Sequence, residues 1–399
     1  MKLNINKEKF VEGLQKSASI IPAKSGTAFL RSVWLKAQEG AISVMSTDAN
    51  VEFTGSYEAD VEESGFVGVQ GKLFVDFVRT LLPGKITLSL DKAHGSQGSR
   101  LPLDGEADEA SVLLVKQGRA RCELPVSTAD WFQNFSEYPE EGAVIWSGDF
   151  LQDLLDKISF CIDEESGMDA ITCLFIKPVE NGRIDVCGLN GHQFAMKSFI
   201  HDELFARLPE QGLLVQKQYL QNIRKWLGQD EIEVNFTEKR FFLRTQGGNE
   251  IISVPRATYD FPDYTAFLSR LEDDATKLCF NRKEAIAVLS RILLFNTDAE
   301  PCTYFDLSEN ECLLYVQGKD VGSVSDSFSV EYDGSVKRIA FPTKKLIEVL
   351  EHFVSDRIEM TITSEEGPCG IHGQDDPFYT VIIMPMKIMD QFYSSEETA

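Results

Sequence analysis

The stretch Val69-Gln-Gly-Lys-Leu-Phe-Val-Asp-Phe-Val-Arg-Thr-Leu-Leu-Pro-Gly-Lys-Ile-Thr-Leu88 decides the fold, because it occurs three times. The second copy is Val215-Gln-Lys-Gln-Tyr-Leu-Gln-Asn-Ile-Arg-Lys-Trp-Leu-Gly-Gln-Asp-Glu-Ile-Glu-Val234. The third is Phe341-Pro-Thr-Lys-Lys-Leu-Ile-Glu-Val-Leu-Glu-His-Phe-Val-Ser-Asp-Arg-Ile-Glu-Met360. They superpose without a gap. Phe74 falls on Leu220 and Leu346, Phe77 on Ile223 and Val349, and Leu81 on Leu227 and Phe353. Past a short turn, Ile86 falls on Ile232 and Ile358, and Leu88 on Val234 and Met360. The first three sets have helical spacing and the last two alternate as a strand does. Each copy therefore predicts an amphipathic helix, a turn and a strand, and a repeat of this kind sets the architecture.

A second repeat precedes each copy. Asn6-Lys-Glu-Lys-Phe-Val-Glu-Gly-Leu-Gln-Lys16 aligns with Ser147-Gly-Asp-Phe-Leu-Gln-Asp-Leu-Leu-Asp-Lys157 and Asn281-Arg-Lys-Glu-Ala-Ile-Ala-Val-Leu-Ser-Arg291. Asn6, Ser147 and Asn281 are helix N-caps in equivalent places. Leu14, Leu155 and Leu289 share the apolar face; Lys16, Lys157 and Arg291 share the other. Short runs such as Ser32-Val-Trp-Leu-Lys36, Ala41-Ile-Ser-Val-Met45, Ile184-Asp-Val-Cys187, Phe241-Phe-Leu-Arg244 and Cys312-Leu-Leu-Tyr-Val316 read as strands between turns. The expected class is α+β, with two helices per repeat laid on one face of antiparallel sheet and their polar stripes pointing away from it. Expected boundaries are 1–138, 139–270 and 271–399. The polar stretches Phe132 to Gly142 and Ser269 to Ala275 are expected linkers. The units end alike, at Cys122-Glu-Leu-Pro125, Ile252-Ser-Val-Pro255 and Ile383-Met-Pro385. The Gly/Ser-rich acidic segment from Asp91 to Glu109 has no counterpart in the other repeats and reads as a mobile surface loop. Ser394 to Ala399 reads as a disordered tail.

The chain has 399 residues, 43% hydrophobic and 26% charged, an ordinary globular composition. Three units of about 130 residues each are large enough for their own cores. Met1 to Phe10 is too polar for a signal peptide and no apolar run approaches a membrane span, so a cytosolic chain is expected. Cys122, Cys161, Cys173, Cys187, Cys279, Cys302, Cys312 and Cys369 form no Cys-x-x-Cys pair and read as reduced core thiols, with no metal or disulfide role. No cofactor is expected. The formal charge of −24 argues, taken alone, against nucleic acid. No Walker loop, no Gly-x-Gly-x-x-Gly opening a helix and no Ser-His-Asp constellation occurs. His192 is the one histidine in a motif-like setting, so an enzyme would have to work without a visible base.

At this point the chain resembles the bacterial DNA polymerase III beta subunit family, the sliding clamps. Gly191-His-Gln-Phe-Ala195, Phe261-Pro-Asp-Tyr264 and Val381-Ile-Ile-Met-Pro-Met-Lys-Ile388 carry the resemblance. The family's usual forms are Thr-Asp-Gly-His-Arg-Leu-Ala, Phe-Pro-Asp-Tyr and Val-Met-Pro-Met-Arg-Leu. The resemblance implies a non-catalytic, head-to-tail homodimer in which two chains of three clamp domains close a six-domain ring. Duplex DNA passes through without sequence preference and the replicative polymerase is tethered to it. The DNA-facing residues it implies are Lys9, Lys16, Lys24, Lys72, Arg79, Lys157, Lys225, Arg291 and Lys344, with Glu12, Asp76, Glu348 and Glu351 among them. A mildly basic lining inside an acidic molecule repels DNA from the outside and tolerates it within. Lysine and arginine are also what any solvated helix face carries.

A second implied site is a peptide pocket formed by Ile171, Leu189, Gly191, His192, Phe194, Pro262, Phe267, Ile382, Met384, Pro385 and Met386, with Lys387 at its rim. It would receive the polymerase III alpha subunit, the clamp loader, other polymerases and repair proteins, and methionine suits a shared groove because it repacks readily. Leu189 and Asn190 replace the family's Thr-Asp, Gln193 its Arg, Ile171 and Phe194 its usual leucines, and Phe267 a smaller aliphatic residue. At the closing interface Arg119, Arg121, Cys122 and Leu124 of one chain would meet Leu293, Leu294, Asp298 and Glu300 of the other. A clamp-like scaffold that binds partners without loading on DNA is the alternative expectation.

Overall fold

The computed structural model describes residues 1–22, 27–92, 111–165, 167–271, 275–296, 302–318 and 322–388. Lys24, nearly all of the 91–109 segment, Asp298, Glu300 and the terminal tail lie outside the described residues.

The repeat is present element by element. Helices Gly71–Thr80, Lys217–Trp226 and Thr343–Glu351 each follow a strand (Gly65–Gln70, Leu213–Gln216, Arg338–Pro342). Each precedes another (Lys85–Lys92, Glu231–Phe236, Arg357–Ile362). Leu220, Ile223, Leu346 and Val349 are buried as expected, but in the first copy Val78 takes the interior position and Phe77 is half-buried. The other helices are Lys7–Ala18, Gly148–Ile158 and Arg282–Leu293. Their caps are as predicted: Asn6 Oδ1 accepts from the Glu8 amide at 3.0 Å, Ser147 Oγ from Phe150 at 3.3 Å, and Asn281 Oδ1 from Glu284 at 3.1 Å.

The chain forms two compact units, Met1–Asp153 with Gln218–Ala257, and Leu154–Lys217 with Thr258–Ala399. In the first, thirteen described strands form one antiparallel sheet. Its continuity past the first repeat comes from Glu250–Pro255 pairing with Glu52–Glu58, with Ile252 opposite Phe53. Helices Lys7–Ala18 and Gly71–Thr80 bury Phe10, Leu14, Phe74 and Val78 against Val33, Leu35, Ile42 and Val44. In the second unit twelve described strands form the sheet, and Gln193–Ile200 pairs with Tyr379–Ile383, placing Phe194 opposite Ile382. Arg282–Leu293 and Thr343–Glu351 bury Leu289, Ile292, Leu346 and Leu350 in this unit. The middle repeat thus divides its strands between two sheets. Three copies in sequence become two units because backbone hydrogen bonding runs across the repeat boundaries.

The Phe132–Gly142 stretch is irregular, lies within the first unit and is anchored there. Phe132 lies 4.9 Å from Phe66 and 5.3 Å from Trp34, ring to ring. Asn235 Nδ2 donates to the carbonyls of Pro139 and Glu141 at 2.8 and 3.0 Å. Among the described residues no helix is long and apolar enough to cross a membrane.

Candidate functional site

In the second unit, strands Arg183–Leu189 and Gln193–Ile200 are joined by a turn whose shape is set by two residues. Gly191 has φ +82°, a left-handed conformation that glycine adopts freely. Asn190 Oδ1 accepts from the amides of His192 and Gln193 at 3.1 and 2.8 Å, the side-chain mimic of a turn that asparagine favours. The segment after strand Tyr379–Ile383 is splinted on both sides. Met384 donates its amide to the His192 carbonyl at 3.0 Å, and Met386 donates to the Ala340 carbonyl at 2.8 Å. Proline at 385 has no amide to satisfy.

Between these elements lies a cavity of about 470 Å³. Ile383, Met384, Pro385, Met386 and Pro342 give it an apolar wall, His192 and Gln193 a polar end, and Lys344, Lys345 and Lys387 a basic rim. All three lysines are exposed.

The residues expected at the pocket divide into two groups. His192, Met384, Pro385, Met386 and Lys387 line the cavity. Ile171, Phe194 and Ile382 do not: they are 7%, 2% and 4% exposed and belong to the interior of the unit. Phe194 stacks on Tyr264 at 5.7 Å and meets Phe267 edge-on at 6.2 Å. Tyr264 donates to Asp185 Oδ2 at 2.8 Å, and burial, then the neighbouring Cys187 and Asp185, push its phenol above the ordinary range. Leu189 and Pro262 are half-buried and Gly191 is exposed. Sequence reasoning missed Pro342, Lys345 and Ile383 as lining residues and gave Lys344 a different role. Ile383 lies inside the Val381–Ile388 motif, whereas the signal for Pro342, Lys344 and Lys345 is the long-range pairing of Met386 with Ala340, which no local motif encodes.

Lys157 requires a correction. Its helical position matches Lys16 and Arg291, yet it is 8% exposed, with Nζ 3.1 Å from Asp376 Oδ1 and 5.2 Å from the centre of the Tyr379 ring. A lysine so held is unavailable to phosphate. Lys16 is partly withdrawn as well, with Nζ 2.6 Å from Glu250 Oε2. Arg79 sits 3.5 Å from Asp76 and Arg291 2.6 Å from Asp326. Lys9, Lys72, Lys225 and Lys344 are exposed and have no ion pair among the described residues.

At the expected interface Arg119 is exposed on the turn after Gly118, and Arg121 is held by Glu123, with Nε 3.0 Å from Oε1. Leu124 is a second correction: strand alternation turns it inward, leaving it 6% exposed within the core of its own unit. Cys122 is half-buried and Leu293 likewise, while Leu294 is 77% exposed. Among the described residues no cluster of His, Cys, Asp and Glu has the geometry of a metal site.

The N-terminal domain of the DNA polymerase III beta subunit matches residues 1–98, and its C-terminal domain matches residues 272–387. The beta sliding clamp of Pseudomonas aeruginosa is 21% identical over 392 residues, spanning 97% of this chain and all of the relative. That of Chlamydia muridarum is 20% identical over 390 residues, spanning 98% and all of the relative. Among solved structures, the polymerase III beta of Caulobacter crescentus aligns with a TM-score of 0.84 at 20% identity, covering 97% of this chain and all of that one. The sliding clamp of Bacillus subtilis aligns with a TM-score of 0.84 at 17% identity, covering 98% and all of that chain. With both family domains matched in order, over more than half of the sequence, the chain belongs to the DNA polymerase III beta subunit family.

Proposed function

We propose that the chain is a sliding clamp, a non-catalytic processivity factor that encircles duplex DNA and tethers the replicative polymerase. The observation that carries this is the threefold strand–helix–turn–strand repeat in a chain matched over its length to beta clamps. Three clamp domains, 1–138, 139–270 and 271–399, pair head to tail with those of a second copy.

A ring holds DNA topologically and needs only weak phosphate contact, because strong contacts would stop it sliding and base contacts would fix it to a sequence. Lys9, Lys72 and Lys225 supply such contact in this reading, with Lys16, Arg79 and Arg291 attenuated by their carboxylates and Lys157 excluded. The formal charge of −24 keeps DNA from the rest of the surface. The cavity beside His192 and Met386 receives partner peptides: the polymerase III alpha subunit, the clamp loader, other polymerases and repair proteins. A modest apolar pocket gives the moderate affinity that partner exchange requires.

The test is retention on DNA. Loaded by its clamp loader, the protein should stay on a nicked circle through gel filtration and run off when the circle is linearised. Equal retention on both forms, or on neither, would refute encirclement.

A further inference from the structure

We propose that the cavity beside His192 selects acidic peptides: an apolar side chain seats against Met384 and Met386 while a neighbouring carboxylate is received by Lys344, Lys345 and Lys387. The inference rests on the cavity being the partner site.

Three observations point the same way. The first is charge sorting. In a chain with 63 acidic and 39 basic residues, every charged residue among the described residues lining the cavity is a lysine. Among the described residues two of these lysines have a carboxylate beside them: Glu348 Oε2 is 3.2 Å from Lys345 Nζ, and Glu366 Oε2 is 4.0 Å from Lys387 Nζ. Lys344 has no ion pair among the described residues, so a net positive field remains at the mouth.

The second is an unmatched donor. Gln193 lines the cavity and is 3% exposed. Its orientation follows from its neighbour. Asn190 Oδ1 already accepts two backbone amides, so Asn190 Nδ2 is the donor to Gln193 Oε1 at 3.1 Å. That leaves Gln193 Nε2, which has no hydrogen-bond partner. A buried donor without an acceptor is an unfavourable state, which a small shift of the Gln193 side chain towards an acceptor in the cavity would relieve.

The third is rigidity. The Met384 and Met386 amides are tied to His192 and Ala340, so the wall and the rim hold their spacing before any ligand arrives.

The experiment uses the full chain and two fluorescent peptides ending in the same apolar residues, one carrying two aspartates and the other two asparagines. Fluorescence anisotropy should show the acidic peptide binding about tenfold tighter, a preference that collapses in high salt. The double variant Lys344→Gln/Lys345→Gln should bring the acidic peptide's affinity down towards the neutral peptide's, the ratio of the two affinities being the readout. If neither peptide binds, the partner-site reading itself fails. If both bind equally at low salt, the site stands and the acidic selectivity is overturned. If neutralising Asp390, Glu396 and Glu397 in the full chain raises the affinity for both peptides tenfold or more, the lysines serve the chain's own end, and the proposal is equally overturned.

Discussion

Lys157 and Asp376 form a buried ion pair, with Nζ 3.1 Å from Oδ1 and side chains 9% and 0% exposed. The carboxylate is over-supplied with donors. Asp376 Oδ2 also accepts from the amides of Val354 and Ser355 at 3.0 and 2.9 Å and from Ser355 Oγ at 2.6 Å. Burial pushes its pKa up, but hydrogen bonds from Ser355, Lys157 and Val354 outweigh that and hold it below the ordinary value. The pair anchors the chain just after helix Thr343–Glu351. Lys157→Met should lower stability by about 3 kcal/mol, the cost of stranding a buried charge, with DNA retention unchanged. A loss of DNA retention without loss of stability in a denaturant titration would return Lys157 to the DNA face.

The sign of the pH dependence follows. A carboxyl depressed in the folded state contributes stability that is fully present above its unfolded value of about 3.9 and is lost as pH falls through the folded value. Asp376→Asn should therefore lower stability at neutral pH and flatten the acid limb of the unfolding curve. An acid limb unchanged in slope would show that other carboxylates set it.

What the sequence reveals here is what local spacing controls. The caps Asn6, Ser147 and Asn281 were legible because a cap acts on an amide two or three residues away. The register of Leu220 with Leu346 was legible because one buried stripe fixes a helix face. Lys157 was misread because its partner, Asp376, lies in another repeat, and helical spacing alone cannot separate it from Lys16 or Arg291. Leu124 misled in a similar way: a resemblance names the position, but the strand's alternation decides which way it faces. At the cavity, Met384-Pro-Met386 was visible as a motif, whereas Pro342 and Lys345 reach it through a single backbone bond from Met386 to Ala340.

Glu250 clamps two elements of the first unit. Tyr57 donates to its Oε1 at 2.8 Å and Lys16 Nζ lies 2.6 Å from its Oε2. Burial, then the charge and hydrogen bond of Glu250, raise the Tyr57 pKa, so the phenol remains a donor at neutral pH. Glu250→Gln should lower stability by about 2 kcal/mol. It should also release Lys16, steepening the slope of log affinity for DNA against log salt by about 0.9. A flat salt response beside a normal loss of stability would show that Lys16 does not face DNA.

Thiol reactivity should divide the cysteines by burial. Cys161, Cys173, Cys187, Cys312 and Cys369 are buried, and burial raises their thiols, Cys173 to about 11 and Cys369 to about 12. At mildly alkaline pH a disulfide reagent should modify only Cys122, Cys279 and Cys302 in the native protein and all eight in denaturant. Rapid native modification of Cys161 or Cys187, read by peptide mass spectrometry, would show that the second unit opens locally.

Gly191 offers a test of the cavity that leaves its chemistry intact. A Cβ there meets nothing within 4 Å, so alanine is disfavoured only by the φ of +82°. Gly191→Ala should lower stability by about 1 kcal/mol and shift the His192 carbonyl that holds Met384. Peptide affinity should fall several-fold while self-association is untouched. An unchanged affinity would mean the turn is not part of the site.

In the proposed reading self-association turns on Leu294, which is 77% exposed just past helix Arg282–Leu293 and so has its side chain free to meet a second copy. Leu124, buried in its own core, has little surface left to give a partner. The head-to-tail contact in the proposed reading therefore rests on Leu294, Leu293 and the exposed Arg119. Leu294→Asp should leave the folding stability of the single chain within about 0.5 kcal/mol of the parent's, as exposed substitutions do. In light scattering behind a sizing column the parent should run at the mass of two chains and the variant at the mass of one. A variant that still runs as two chains would place the interface elsewhere on the molecule, and a parent that runs as one at every concentration would leave the ring to be closed by another protein.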